Sequence, residues 1–389
     1  MKFIDICSGI GGFRSALEKH GHECMAFAEI DKFAKQSYKA IYDTENEEEL
    51  DDITNVTNEH FRLYRGQVDI ITGGFPCQSF SIAGNRRGFE DTRGTIFFHI
   101  ARAIKEIQPS YVLLENVKGL LSHDKGRTYG TIVQALDELG YFIEWGLFNS
   151  KYWGVPQNRE RVYILVTRKD VWKEPKLFNL VKQQTEVDTK LIDILETDVD
   201  EKYFLSDEKV KKLTLNEDLS GRLNHYDYRD VDSVHSVNKV SPTLNTMQGG
   251  DRQPKVAVPV LTPDRLNKRQ NGRRFKDNDE PMFTLTSQDR HGVVIGVGHH
   301  PFSKKLEFNG YKTICPTLVA TDYKAPKTAL TNNLRIRKLT PIECWRLQGF
   351  SDEQFYKAKN AGVSNSQLYK QAGNAVTVNV VDAIVGELE

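Results

Sequence analysis

The chain has 389 residues, 39% of them hydrophobic and 27% charged, with basic and acidic side chains balanced at 53 each. That length suits one large domain plus a smaller one, and the even charge means that a polyanion contact must come from a local patch. Five cysteines with no Cys-x-x-Cys pair fit a reducing cytosol and argue against a structural zinc site. No apolar run reaches the ~18 residues of a membrane span, and Asp5 interrupts the first apolar stretch before a secretory signal could form.

Lys2 to Cys7 predicts a first strand, Ser8-Gly9-Ile10-Gly11-Gly12 a tight glycine turn, and Phe13, Ala16, Leu17 and His20 one face of a helix stopped at Gly21. A second strand, Cys24 to Ala28, ends at Glu29. That acid lies about 20 residues past the turn, where a nucleotide-binding βαβ unit places the carboxylate that holds ribose hydroxyls. No Gly-Lys-Ser/Thr follows the turn, which excludes a Walker loop. The acidic run Glu45 to Asp52 reads as a solvated loop, with Asp52-Ile53 at its end able to face a cofactor.

Val68-Asp69-Ile70-Ile71 has the β-branched content of a buried strand. Gly73-Gly74-Phe75-Pro76 then turns the chain and sets Cys77 just past the strand's carboxyl end, the edge at which open α/β sheets bind ligands. A thiol there becomes a nucleophile if a neighbour takes up charge, although a lone cysteine is more often inert. The segment Ile82 to Thr95 combines Gly84, Gly88 and Gly94 with Arg86, Arg87 and Arg93, and reads as a closing loop with phosphate contacts. An amphipathic helix from Ile96 to Ile107 follows.

The strand Tyr111 to Leu114 ends at Glu115-Asn116, a second reactive side chain at a strand's carboxyl end. Sharing a pocket with Cys77, Glu115 would be raised in pKa and could carry a proton at neutral pH. A helix over Thr131 to Leu139 precedes strands at Tyr141 to Phe148 and Arg161 to Val166. Between these strands, Arg159 and Arg161 fall on one face of an extended segment and could grip a carboxylate or a base carbonyl.

From Lys182 to Arg335 the strand–helix alternation stops. Three echoes stand out: Ser241-Pro242-Thr243-Leu244, Phe283-Thr284-Leu285, and Pro316-Thr317-Leu318. Each precedes an aspartate and a base, among them Arg252 and Arg290, and the irregular spacing excludes a solenoid. The densest basic cluster runs from Arg265 to Arg274. His299-His300 lacks acid or cysteine partners, so no metal site is expected. Thr340-Pro341-Ile342-Glu343 predicts a capped helix packing a small domain. Gly373-Asn374 is expected to open a last helix, whose Val376, Val380 and Ile384 dock on the N-terminal sheet.

Taken in order, these motifs resemble the DNA (cytosine-5)-methyltransferases of bacterial and phage restriction–modification type. Phe3 to Phe13 is similar to the S-adenosylmethionine motif, Gly74-Phe75-Pro76-Cys77-Gln78 to the Pro-Cys motif, and Glu115-Asn116-Val117 to the Glu-Asn-Val motif. Gln157 to Arg161 resembles the Gln-Arg-x-Arg stretch, and Arg337 to Cys344 and Gln371 to Val376 the last two motifs. Cys7-Ser8-Gly9 stands where the family often has Phe-Ala-Gly, and Ile30 where it often has Trp, so altered adenine packing is expected.

The resemblance implies a Rossmann-like α/β sheet with helices on both faces, formed by residues 1–183 and 366–389, and a smaller β-rich target-recognition domain over 184–365. It implies S-adenosylmethionine held by Asp5, Cys7, Ser8, Gly9, Ile10, Gly11, Gly12, Glu29, Ile30, Asp52, Ile53, Pro76, Asn374 and Ala375, leaving S-adenosylhomocysteine as product. Catalysis falls to Cys77, Glu115, Arg159 and Arg161. Double-stranded DNA is the implied partner, contacted by Gln78, Ser81, Arg86, Arg87, Arg93, Arg252, Arg290, Thr317 and Leu318. A cytoplasmic monomer in a bacterial or phage-infected cell, with a cognate restriction endonuclease as a further partner, completes the expectation. A tRNA methylator, a small-molecule methyltransferase and a non-catalytic DNA-binding regulator are the rivals, and the long insert favours duplex DNA.

Overall fold

The structure is a computed structural model that describes residues 1–76, 95–185, 187–216, 218–247, 251–259 and 334–388. It separates into two compact units. The first comprises Met1–Lys190, Val240–Gly250 and Pro341–Glu389, the second Leu191–Lys239 and Asp251–Thr340. Residues 184–190, 240–250 and 341–365 thus group with the first unit, where sequence alone would assign them to the second.

The first unit is built on seven strands: β1 (Lys2–Ile6), β2 (Glu23–Ala28), β3 (Glu48–Glu49), β4 (Ile70–Gly74), β5 (Tyr111–Val117), β6 (Tyr141–Asn149) and β7 (Glu160–Arg168). Their order is β3-β2-β1-β4-β5-β7-β6. β1 to β5 are parallel, and β7 runs antiparallel to both neighbours. Successive strands leave β1 in opposite directions, so the order reverses between β1 and β4. This is the switch point outside which such sheets bind ligands.

Two-residue alternation sends apolar side chains to both faces, as a doubly covered sheet requires. Ile4, Ile6, Ile71, Val112, Leu114 and Ile164 pack with Phe97, Ile100 and Ile104 of α4 (Ile96–Ile107) and with Ile132, Ala135 and Leu136 of α5 (Arg127–Glu138). Phe3, Ile70, Leu113 and Leu165 face the other way. Helix α1 (Gly12–Lys19) follows the glycine turn. Asp31 caps α2 (Lys32–Ile41), its Oδ1 accepting from the amides of Phe33 and Ala34. The short helices α3 (Asn58–Arg62) and α6 (Leu177–Lys182) complete this part.

The acidic run is not simply a solvated loop. Glu48 and Glu49 pair with β2 as β3, and Glu47 is drawn inward by Arg14, whose NH1 and NH2 donate to its two oxygens at 2.6 and 2.7 Å. Buried to 3% and 9% side-chain exposure, this pair is bidentate, which offsets the desolvation of two charges.

The second unit contains a five-stranded sheet in the order β12-β11-β10-β9-β8. Its strands are β8 (Thr214–Leu215), β9 (Gly221–Arg222), β10 (Ser233–His235), β11 (Lys255–Pro259) and β12 (Leu334–Lys338), with one-turn helices α7 (Asp207–Val210) and α8 (Arg229–Asp232). Among the described residues, Leu205, Leu223, Val234, Ala257 and Ile336 form its core.

The chain returns to the first unit through α9 (Pro341–Arg346), α10 (Asp352–Asn360), α11 (Asn365–Asn374) and α12 (Val378–Gly386). Helix α9, expected to pack the small domain, instead buries Trp345 in the first unit, where its Nε1 donates to Leu368 O at 3.0 Å. Gly373-Asn374 closes α11 rather than opening a helix, and α12 starts only at Val378. Val376, Val380 and Ile384 share a core with Phe3, Phe13, Ala16 and Leu17, so both chain ends cover one face of the same sheet.

Candidate active site at the carboxyl edge of the sheet

The glycine turn after β1 is fixed by backbone geometry. Cys7, Gly9 and Gly11 have φ of 52°, 57° and 83°. A Cβ on Gly11 would stand 2.3 Å from the Tyr42 ring, and one on Gly12 would stand 2.5 Å from Val376. Tyr42 holds the turn by donating to Gly11 O at 2.7 Å. Bare backbone there is therefore required by close packing as well as by conformation.

Glu29, at the end of β2, accepts from Gly9 N and Asp31 N, each at 2.8 Å and each on a different oxygen. It braces the turn and keeps lone pairs for further donors. Ile30 beside it is 73% exposed, an apolar surface on the open edge. Asp52 is half-buried and accepts from Thr54 N at 2.9 Å, while Ile53 is buried. Cys7 is half-buried, its thiol pushed up to about 12 by burial and by the carboxylates of Glu29, Asp5 and Asp52, so it is no thiolate. Ser8 and Ile10 are buried, the latter within the core.

Asp5 is fully buried instead of lining the edge. Thr72 Oγ1 donates to its Oδ1 at 2.8 Å, and burial pushes its carboxyl up to about 7.

The second half of the site lies on β4, β5 and β7. Gly74 is the register partner of Glu115, and Val117 that of Arg161. Arg161 therefore reaches diagonally to Glu115, its Nε 3.0 Å from Oε1, while Glu115 Oε2 lies over the bare Gly74. The Glu115 carboxyl is raised: burial pushes it up, and the charges of Arg161 and Arg159 pull it down less. Asn116 is buried and donates from Nδ2 to Phe75 O at 2.7 Å, pinning the turn just ahead of Cys77. Sequence reasoning passed over Asn116 as a site residue, although its place directly after Glu115 at a strand end was the available signal. Pro76 is exposed.

Arg159 takes a different position from Arg161. It is buried, with hydrogen bonds to the carbonyls of Leu244, Gly373 and Ala375, and it acts on Glu115 as a nearby charge. The first Thr-Leu echo is likewise not a free loop: Leu244 is buried and Gln157 pairs with Ser241. Asn374 is exposed and Ala375 buried. Arg252 is exposed in the second unit. Cys77, Gln78, Ser81, Arg86, Arg87, Arg93, Arg290, Thr317 and Leu318 lie outside the described residues.

The whole chain, residues 1–389, matches the family described as C-5 cytosine-specific DNA methylase. The chain belongs to this family. The orphan methyltransferase M.SPRI of Bacillus phage SPR is 37% identical to it, over 100% of this chain and 97% of its own. The putative type II methyltransferase M.BsuMIIP of Bacillus subtilis strain 168 is 38% identical with the same coverage.

Among solved structures, the S. pombe Dnmt2 methyltransferase matches with a TM-score of 0.63 at 16% identity, covering 100% of this chain and 97% of that one. A putative DNA modification methyltransferase encoded within an E. coli prophage gives 0.60 at 16% identity, covering 100% and 98%. These two likenesses bear on the fold. Family and relatives together make the protein a DNA (cytosine-5)-methyltransferase, as its ordered motifs imply. Among the described residues, no helix is long and apolar enough to cross a membrane.

Proposed function

We propose that this enzyme methylates C5 of a cytosine rotated out of a short double-stranded DNA site, through a transient bond between Cys77 and C6. The carrying observation is the junction of β4 and β5. Glu115, raised in pKa, sits opposite Gly74, while Asn116 pins Phe75 O on the turn that leads to Cys77. On this reading the raised acid of β5 and the sulfur nucleophile that follows the pinned turn act on one base.

Unstacking the base costs a few kcal/mol, offset by protein contacts. Cys77 thiolate bonds to C6 as Glu115 gives its proton to N3, so the ring electrons gather at C5 and not on the ring nitrogen. C5 accepts the methyl group. A base then removes the C5 proton, the S–C6 bond breaks to release thiolate, and N3 returns its proton to Glu115. Arg161 holds Glu115 in place and offers its remaining N–H groups to the base carbonyl.

S-adenosylmethionine, when bound, supplies the methyl group as an electrophile. The edge residues fit it: the carboxylate of Glu29 for ribose hydroxyls, exposed Ile30 for the adenine face, Asp52 for its amino group, and the side-chain-free turn Gly9 to Gly12 for close backbone approach. Asn374 and Ala375 border the same turn through Val376 and Gly12.

The second unit is proposed as the target-recognition domain, with Arg252 among its DNA contacts. A protective role in a restriction–modification or phage setting agrees with the type II and orphan relatives. Incubation with 5-fluorocytosine duplexes and the methyl donor tests the mechanism, and bisulfite sequencing of DNA from expressing cells reads the site. A denaturation-resistant adduct at residue 77 is expected; methylation without an adduct would refute the covalent route.

A further inference from the structure

The segment Ser241–Met247 is a strap. The chain comes to it from Lys239 of the second unit and goes on to Asp251 of that unit, yet the strap itself belongs to the first. Ser241 N donates to Pro156 O at 2.7 Å and Asn158 N to Ser241 O at 2.8 Å. Thr243 Oγ1 donates to Asn158 O at 2.5 Å, and Leu244 N to Gln157 Oε1 at 3.3 Å. On its other side the strap meets Gly373, where a Cβ would stand 2.1 Å from Asn245 O.

One guanidinium ties these parts together. Arg159 NH1 donates to Leu244 O at 3.3 Å and to Gly373 O at 3.2 Å, and NH2 donates to Ala375 O at 2.8 Å. The two carbonyls it holds at the end of α11 flank Asn374, whose own side chain is exposed. Fixing both orients the peptide units on either side of that residue. Packing alone would not call for this arrangement, because burying a guanidinium at 2% exposure costs desolvation that an apolar side chain would avoid. A planar fork with several fixed donors is what three carbonyls in different segments require.

We propose that Arg159 is a positioning residue for cofactor binding: by holding the carbonyls of Gly373 and Ala375 against the strap, it fixes the direction in which Asn374 meets S-adenosylmethionine. This rests on the reading of Asn374 as cofactor-facing. Arg159 thus acts on the methyl donor through Asn374, while Arg161 serves Glu115.

The test measures S-adenosylhomocysteine affinity by calorimetry, alongside kcat and separate KM values for methyl donor and DNA. The variants are Arg159→Lys, Arg159→Met, Asn374→Ala and the double variant R159K/N374A. Arg159→Met is expected to weaken cofactor binding about tenfold or more and Arg159→Lys less, with the DNA KM changed under threefold. The double variant should bind no more weakly than N374A alone, because Arg159 works through that residue.

Additive losses, or an R159K cofactor affinity within twofold of wild type beside a fallen kcat, would overturn the proposal. If Arg159→Met does not fold, Arg159→Lys, Gly373→Ala and the cycle decide, since Gly373→Ala pushes on the strap and should raise the cofactor KM selectively. A wild-type protein that binds no S-adenosylhomocysteine would overturn the functional reading itself, which separates the two failures.

Discussion

Replacing Asp5 by Asn isolates the effect of a buried acid behind the glycine turn. In the folded chain Asp5 titrates at about 7 instead of 3.8, chiefly because burial disfavours its charge; Glu29 adds to this, and Thr72, Arg14 and Tyr38 oppose it. A raised acid pKa means that the native state binds the proton more tightly than the unfolded chain does between those values. Its contribution to stability is therefore fully present below about pH 4 and is lost as the pH climbs to 7. Integrated from pH 5 to pH 8, the loss is about 2–3 kcal/mol. The amide of D5N does not titrate, and any fixed cost of fitting it beside Thr72 is the same at both pH values. Urea unfolding of both proteins at pH 5 and pH 8 should show the D5N-minus-wild-type difference rising by that amount. A difference that stays constant within about 0.5 kcal/mol would refute the assignment of a protonated Asp5 near neutrality.

Glu115→Gln should cut kcat by about 10²- to 10⁴-fold with cofactor affinity kept, and Cys77→Ala should abolish the 5-fluorocytosine adduct, both read in single-turnover assays. Asn116→Ala removes the bond to Phe75 O, a cost of about 1 kcal/mol. A kcat lowered at least tenfold with S-adenosylhomocysteine affinity unchanged is expected, and a selective loss of cofactor binding would contradict it. Ile30→Ala touches an exposed side chain, so melting should not move, while cofactor affinity falls by about 1 kcal/mol. An unaltered affinity would remove Ile30 from the cofactor surface.

The sheet was legible because its strands are apolar on both faces and carry chemistry near their carboxyl ends: Glu29 follows β2 as the pattern put it, whereas β4 runs on through Gly74 and β5 through Glu115 to Val117, where the pattern ended both strands sooner. Strand-end motifs are local, and one residue's place is fixed by its own strand. What escaped reading depends on partners far along the chain. Glu47 looks like one acid in a solvated run until Arg14, on a helix before it, draws it inward. Arg159 and Arg161 read as a matched pair because an extended segment gives them one face. Their fates diverge because the carbonyls of Leu244, Gly373 and Ala375 reach only the first of them. Gly373-Asn374 looked like a helix start, since glycine before a periodic apolar run suggests a boundary. It is a boundary, but of the preceding helix, whose polar sequence from Asn365 onward hides its period.

Glu115 shows why two arginines near one acid do not simply lock it in the charged state. A guanidinium at 3.0 Å favours carboxylate, as does the second positive charge of Arg159, yet the carboxyl remains raised because burial outweighs both. A catalyst that gives a proton to a ring nitrogen and then takes it back needs a pKa near the working pH, neither that of an exposed ion pair nor that of an isolated buried acid. Arg161 supplies the restraint on one side and the dry environment the push on the other. The balance depends on keeping water out: admit it, and the burial contribution shrinks while the arginines remain, so the Glu115 carboxyl moves down towards the charged form. On the proposed mechanism, proton delivery by Glu115 depends on keeping water from its carboxyl, which ties the chemistry to a properly seated target.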